Sequence, residues 1–277
     1  MTPGHGTLRE TFRENGFVQI DRFLNPRETD EMESNLARFI GDIVPRLSGE
    51  EAMYQVPGQP ETLKQINCLG IDPFFSALLF GDKIKSLVEC LLEQRVIPQS
   101  ISFFNKPPGT GTATPSHQDG YYFCLVPNEA LTVWIALDDI NDENGTMHYW
   151  KGSHKRGVLA HTESRVLGFS QGLANAPADV GEETVCDVRR GGCLIHHSLM
   201  IHAAAPNTSQ RSRRAVGLVY YGESARVDTD AQKRYQESVA RQRCNNGCRA
   251  QLALTASGNG RDSESILSNP TRESATT

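Results

Sequence analysis

Leu131-Thr132-Val133-Trp134-Ile135-Ala136-Leu137 alternates branched apolar residues with Thr, Trp and Ala. Similar short runs surround it: Val96-Ile97, Ser100 to Asn105, Met147-His148-Tyr149-Trp150, Thr184 to Val188, Gly192 to His196 and Ala215 to Tyr221. Pro, Gly and Asn clusters separate them. Short period-two runs punctuated by turn residues read as the strands of a sandwich or barrel.

Upstream the period is helical. Asn25-Pro26-Arg27-Glu28 supplies an Asn cap, Pro at the first helical position and Glu three residues after the cap. Met32, Leu36, Phe39, Ile40 and Ile43 then recur at helical spacing, and Ile71 to Leu92 reads as one or two further helices. Gly16 to Ile20 alternates like a short strand. Helices come first and strands follow. No βαβ alternation and no glycine-rich dinucleotide loop occur, which argues against a doubly wound sheet. The expected organisation is one domain over 1–250. It has a helical part at about 8–95, a strand-rich core at about 96–222 and a charged helix at about 228–243. Residues 251–277, rich in Ser, Asn, Gly, Thr and charge, read as a mobile tail.

Composition narrows the function. Thirty-three acidic residues outnumber 28 basic ones, a formal charge of −5, which speaks against a dedicated nucleic-acid binder. No run approaches 18 apolar residues, and no basic stretch followed by an apolar run opens the chain, so neither a membrane span nor a secretory signal is read. Seven scattered cysteines fit reduced thiols and a cytoplasmic location. Cys244 and Cys248 stand four apart with no second pair and read as plain thiols.

The informative stretch is Ser116-His117-Gln118-Asp119-Gly120. On an extended segment, residues two apart point the same way, so His117 and Asp119 can share one ion. A third ligand would come from Gly191 to His202, where His196, His197 and His202 compete. Two His and one carboxylate on one face of an octahedron leave three open positions, the arrangement of non-haem Fe(II) oxygenases. Only His202 has an Arg at a fitting distance, Arg213, eleven residues on and on the next strand. A guanidinium there can hold the far carboxylate of a chelating dicarboxylate with two parallel hydrogen bonds. Alternation turns Arg214 to the opposite face.

Together with Asn105-Lys106-Pro107-Pro108, Leu131 to Leu137, Asn144-Gly145-Thr146 and Lys151-Gly152-Ser153-His154-Lys155, these motifs resemble the phytanoyl-CoA dioxygenase family of Fe(II)- and 2-oxoglutarate-dependent oxygenases. The resemblance covers roughly 8–222. It implies a mainly β fold, a double-stranded β-helix (jelly-roll, cupin-like) core with flanking helices. It implies His117, Asp119 and His202 as iron ligands, Arg213 on the distal carboxylate of 2-oxoglutarate, and Trp134 as a wall of that pocket. Thr132, Asn105 and Lys64 would donate hydrogen bonds to the co-substrate. Family members often carry Ser two residues after the distal His, where this chain has Ala204.

The expected activity is hydroxylation of an unactivated C–H bond with O2, releasing succinate and CO2. Lys106, Lys151, Lys155, Arg156, Arg165, Arg189 and Arg190 flank the motifs and suggest a small anionic metabolite, a 2-aminoethylphosphonate-type compound being one candidate. An acyl-CoA or natural-product hydroxylase is the alternative within the family. The rivals outside it are a non-catalytic jelly-roll that binds a small molecule and a hydrolase with another metal. Arg213 opposes both, since neither needs a dicarboxylate anchor. No obligate protein partner is inferred. Gly109 to Thr112 lacks the following Lys-Ser/Thr of a phosphate cradle and reads as a loop over the site.

Overall fold

The strand Ala130–Ala136 is buried along its whole length because both its faces are covered. Leu131, Val133 and Ile135 join a cluster with Leu36 and Phe39 of the helix Pro26–Asp42, Phe75 of Pro73–Phe80, and Leu87 and Val88 of Asp82–Leu92. Trp134 and Ala136 belong to a second cluster with Met147, Tyr149 and Ala204. Period two thus sorts one strand between a helical layer and the interior between two sheets. The computed structural model describes residues 5–109, 111–175 and 180–242.

The larger sheet has seven strands in the order Phe17–Ile20, Cys193–His197, Ala130–Ala136, Arg213–Gly222, Val96–Lys106, Leu63–Ile66 and Ala52–Tyr54. The smaller has four, in the order Glu183–Cys186, Met147–Trp150, His202–Ala204 and Thr114–His117. All pairings in both are antiparallel. The jelly-roll expectation holds. A hairpin, His161–Val166 with Phe169–Leu173, follows the smaller sheet's second strand in sequence.

Helix starts follow local chemistry. Asn25 accepts from the Glu28 amide at 3.0 Å, and Glu28 reaches back to the Asn25 amide at 2.8 Å, closing the capping box read from sequence. The apolar run to Leu92 is two helices, because Gly81 at an extended φ of −69° and ψ of 139° interrupts it. Two helices escaped sequence reading. One is His5–Asn15, whose only core contributions are Leu8 and Phe12. The other is the short Asp119–Phe123, which begins on a proposed ligand. Residues 229–242 are helical. The proposed tail at 251–277, and Cys244 and Cys248, lie outside the described residues.

The chain divides into two units, Met1–Tyr235 and Gln236–Thr277, and every site residue lies in the first. Among the described residues no helix is long and apolar enough to cross a membrane.

Candidate functional site

His117 ends a strand of the smaller sheet and pairs directly with His202 on its neighbour. Gln118 stays extended, with φ −122° and ψ 128°, so the two-residue spacing brings Asp119 back to the same side before the helix begins. One donor atom from each of His117, Asp119 and His202 lies within 4.8 Å of the others. Asp119 Oδ1 stands 3.6 Å from His117 Nε2 and 3.7 Å from His202 Nε2.

Each ligand candidate is oriented from behind. His117 Nδ1 donates to the Pro115 carbonyl at 2.8 Å, and His202 Nδ1 to the Met200 carbonyl at 3.0 Å. A proton held at Nδ1 leaves both Nε2 lone pairs facing the shared space. Burial, with His117 and His196 nearby, pushes His202 well below the ordinary histidine range, so its imidazole is neutral and ligand-ready. Burial works against ionising Asp119, but the surrounding histidines, His202, His117 and the hydrogen-bonded His196, hold its carboxyl well below the usual range. Gln118 is more than a spacer. Its amide donates to the Gly157 and Leu199 carbonyls and accepts from the Leu159 amide, pinning the segment between the two ligand candidates.

Arg213 is fully buried and makes no ion pair among the described residues, and its Nε has no hydrogen-bond partner. Its guanidinium carbon lies 5.1 Å from the centre of the Trp134 ring. Asp138, the carboxylate that acts on it from a distance, is occupied by Arg214 through three nitrogens. Arg214 does face the other way, as alternation requires, but it also bonds Glu33 and so braces the helix Pro26–Asp42. A buried, unpartnered guanidinium is costly unless an anion completes it.

Arg213, Trp134, Asp119 and both ligand histidines line one cavity, with Lys64, Asn105, Lys106, Thr132 and Phe169. Burial, then Arg213, pushes Lys64 down to about 8. Burial, Arg213 and Lys64 push Lys106 down to about 6. Asp119 is the single carboxylate among the lining residues. Three basic groups and one acid thus line the cavity.

Several expected roles change. Thr132 Oγ1 donates to Asp119 Oδ2 at 2.7 Å, so its hydroxyl holds the carboxylate and is not free for a co-substrate. Asn105 Nδ2 donates to the Leu63 carbonyl, which leaves its buried Oδ1, an acceptor, without a partner. Lys64 lines the cavity as expected, but its ammonium donates to the Leu167 carbonyl at the tip of the hairpin. Of the basic residues thought to surround the pocket, Lys106 alone lines it. Lys151 pairs with Glu182, Arg189 with Asp139, and Arg190 with Asp30 and Glu33.

In the sequence, Lys106 stands in the Asn105-Lys106-Pro107-Pro108 motif and among several flanking basic residues. Alternation with the inward Phe104 is the signal that placed it inside. Its ammonium donates to the Thr112 carbonyl at 2.5 Å and lies 3.5 Å from that of Ala204. Gly145 makes room for its stem: at φ +102° a Cβ there would stand 2.7 Å from Lys106 Cδ and 2.8 Å from the Ala205 oxygen.

The donor set fits iron. Two imidazoles and one carboxylate on one side of a shared space leave room for a chelating acid. The unpartnered Arg213 supplies a matching counter-charge for that acid's far end. Fold and site together define the class, a jelly-roll oxygenase of the iron and 2-oxoglutarate type. The phytanoyl-CoA dioxygenase family model matches residues 12–215, and the chain belongs to that family. It is 27% identical over 256 residues to a Caenorhabditis elegans phytanoyl-CoA dioxygenase domain-containing protein 1 homolog, covering 75% of this chain and 88% of that one. The structure of EvdO2 from Micromonospora carbonacea var. aurantiaca superposes with a TM-score of 0.64 at 26% identity, over 80% of this chain and 92% of that one. The epimerase SnoN from nogalamycin biosynthesis, solved with Fe3+, alpha ketoglutarate and nogalamycin RO, gives 0.64 at 21% identity, over 80% and 84%; at that identity the likeness is one of fold.

The lowered Lys64 and Lys106 give anion binding in this cavity a pH dependence. In the free pocket their pKa values are lowered to about 8 and about 6. A bound dianion favours their charged forms and raises both values. Binding is therefore strongest where the lysines are already charged and weakens as pH rises through this range, with protons taken up. Calorimetry of 2-oxoglutarate binding to the anaerobic Fe(II) protein at pH 7, in buffers of different ionisation enthalpy, should show net proton uptake. Zero uptake or release would contradict the charge placement.

Proposed function

We propose that this oxygenase holds Fe(II) through His117, Asp119 and His202, anchors 2-oxoglutarate through Arg213, and hydroxylates an unactivated C–H bond of a small anionic metabolite. The observation that carries the reading is the buried, unpartnered Arg213 in the same cavity as the His-Asp-His group. Iron and 2-oxoglutarate supply oxidation by O2, with release of succinate and CO2, once both are bound.

The chain's own residues contribute position and charge. The Nδ1 hydrogen bonds of His117 and His202 fix which nitrogen each presents. Trp134 and Phe169 provide apolar wall, which excludes water and strengthens the charge pairs inside. Ala204 offers no hydroxyl near Lys106, so Arg213 carries the co-substrate's distal carboxylate without help from that position.

The anionic substrate follows from charge. With Arg213 matched to one carboxylate of 2-oxoglutarate and the metal to the other, Lys64 and Lys106 remain in the cavity. A phosphonate or carboxylate answers them. A 2-aminoethylphosphonate-type compound is one candidate, although its ammonium would find only Asp119 as a lining carboxylate. Lys151, Arg189 and Arg190 pair with carboxylates, and of the basic residues flanking the motifs only Lys106 lines the cavity, so recognition rests on the two buried lysines.

The test is substrate-stimulated succinate formation across aminophosphonates, their amine-free analogues, amino acids, betaines and short acyl-CoA esters. Anionic compounds should stimulate, and Lys106→Gln should raise their KM at least about tenfold, since a pocket built for a charge discriminates strongly. Stimulation only by an uncharged apolar compound, indifferent to Lys106→Gln, would end the anionic proposal and leave the oxygenase class standing.

A further inference from the structure

Asp119 uses its two oxygens differently. Oδ1 faces the ligand histidines. Oδ2 faces the larger sheet, where it accepts from Thr132 Oγ1 at 2.7 Å and from His196 Nε2 at 3.1 Å. Thr132 and His196 are direct cross-strand partners, so adjacent strands deliver both donors to one oxygen. Two donors satisfy the oxygen's two lone pairs.

His196 is held in turn. Its Nδ1 lies 2.9 Å from the Tyr149 hydroxyl. Both residues are buried, His196 at 2% exposure and Tyr149 at 0%. The Tyr149 ring stacks on Phe17, with centroids 4.5 Å apart and planes 13° off parallel. The phenol donates to Nδ1, and the imidazole then carries its proton at Nε2 and donates to Asp119. The His196 ring centre is 4.4 Å from that of His202, so an unlocked His196 would stand beside the metal position with a lone pair to offer.

We propose that His196, locked by Tyr149, is a positioning residue that keeps Asp119 a one-oxygen ligand and keeps its own nitrogen off the metal. The inference rests on the ligand assignment proposed above. Its consequence is coordination number. A carboxylate binding through both oxygens, or a fourth protein ligand, would fill one of three positions that a chelating co-substrate and O2 require. Hydrogen bonds behind a ligating carboxylate also set metal affinity.

The test loads wild type, His196→Phe, His196→Gln and Tyr149→Phe with Co(II) and reads the visible spectrum, which reports coordination number, alongside Fe(II) affinity by chelator competition. In His196→Phe, Fe(II) affinity should fall about ten- to a hundredfold and the Co(II) spectrum should change, as freed Oδ2 joins the metal. His196→Gln keeps an amide donor near Oδ2 and should restore the wild-type spectrum. Tyr149→Phe removes one oxygen atom and no ring. It should alter the spectrum with no comparable loss of thermal stability, and it decides the matter alone if His196→Phe does not fold. Wild-type spectra in His196→Phe or Tyr149→Phe would overturn the proposal, as would equal loss of Fe(II) affinity in the Phe and Gln variants. Loss of Co(II) binding from His117→Ala with retention in His196→Gln would show that the ligand assignment survives. Retention in His117→Ala would show that the assignment itself had failed.

Discussion

Arg213→Met is expected to abolish useful 2-oxoglutarate binding while raising the melting temperature of the metal-free protein. The two effects share one cause. The guanidinium is buried, its Nε has no partner, and it forms no ion pair among the described residues. An unsatisfied buried polar group costs about 1–3 kcal/mol, and a methionine of similar length removes that cost. At roughly 2–4 °C per kcal/mol for a chain of this size, the gain is measurable by calorimetry. The co-substrate loses a bidentate, charge-assisted pair worth about 1.5–3 kcal/mol per bond, so its dissociation constant should rise at least about a hundredfold. Arg213→Lys should recover part of the binding, because an ammonium lacks the planar fork. Arg214→Met should act the opposite way, sparing 2-oxoglutarate binding and lowering stability through the loss of Asp138 and Glu33 contacts. Destabilisation by Arg213→Met, or equal loss of co-substrate binding at both positions, would mean that Arg213 is a structural cation.

His117→Ala and Asp119→Ala are expected to lower Fe(II) affinity by at least about tenfold and to remove Fe(II)-dependent succinate formation. Three protein ligands hold the proposed metal, so each is a third of the donor set. The two variants should differ in the free protein. His117→Ala loses one side chain that bonds only the Pro115 carbonyl behind it. Asp119→Ala leaves Thr132 and His196 without their acceptor and should cost more stability, since two buried donors are orphaned. Near-wild-type turnover in either variant, with iron content verified, would remove the assignment.

The site was legible where its logic is local. His117 and Asp119 declare themselves through a two-residue offset on an extended segment, and Gln118 keeps that geometry. Arg213 was found by its distance from His202 and by strand alternation, both of which the sheet preserves. What stayed hidden depends on residues far apart in the chain. Tyr149 and His196 are 47 positions apart and meet only when the sheets face each other. Thr132 read as a co-substrate donor, because nothing local shows that its hydroxyl is taken by Asp119. A count of basic residues could not separate the paired Arg190 from the unpaired Arg213. The same holds for the fold. Pro26–Asp42 announces itself by cap and period, whereas His5–Asn15 buries too few side chains to leave a pattern.

The claim that this cavity is a 2-oxoglutarate-dependent iron site is tested most directly by an anaerobic titration. Purified protein is titrated with 2-oxoglutarate in the presence and absence of one equivalent of Fe(II), followed by absorbance and calorimetry. The account predicts one Fe(II) bound per chain, a visible charge-transfer band on adding 2-oxoglutarate, and binding at least about tenfold tighter with the metal than without it. Binding of 2-oxoglutarate that ignores Fe(II), or no Fe(II) binding in the wild-type protein, would contradict it.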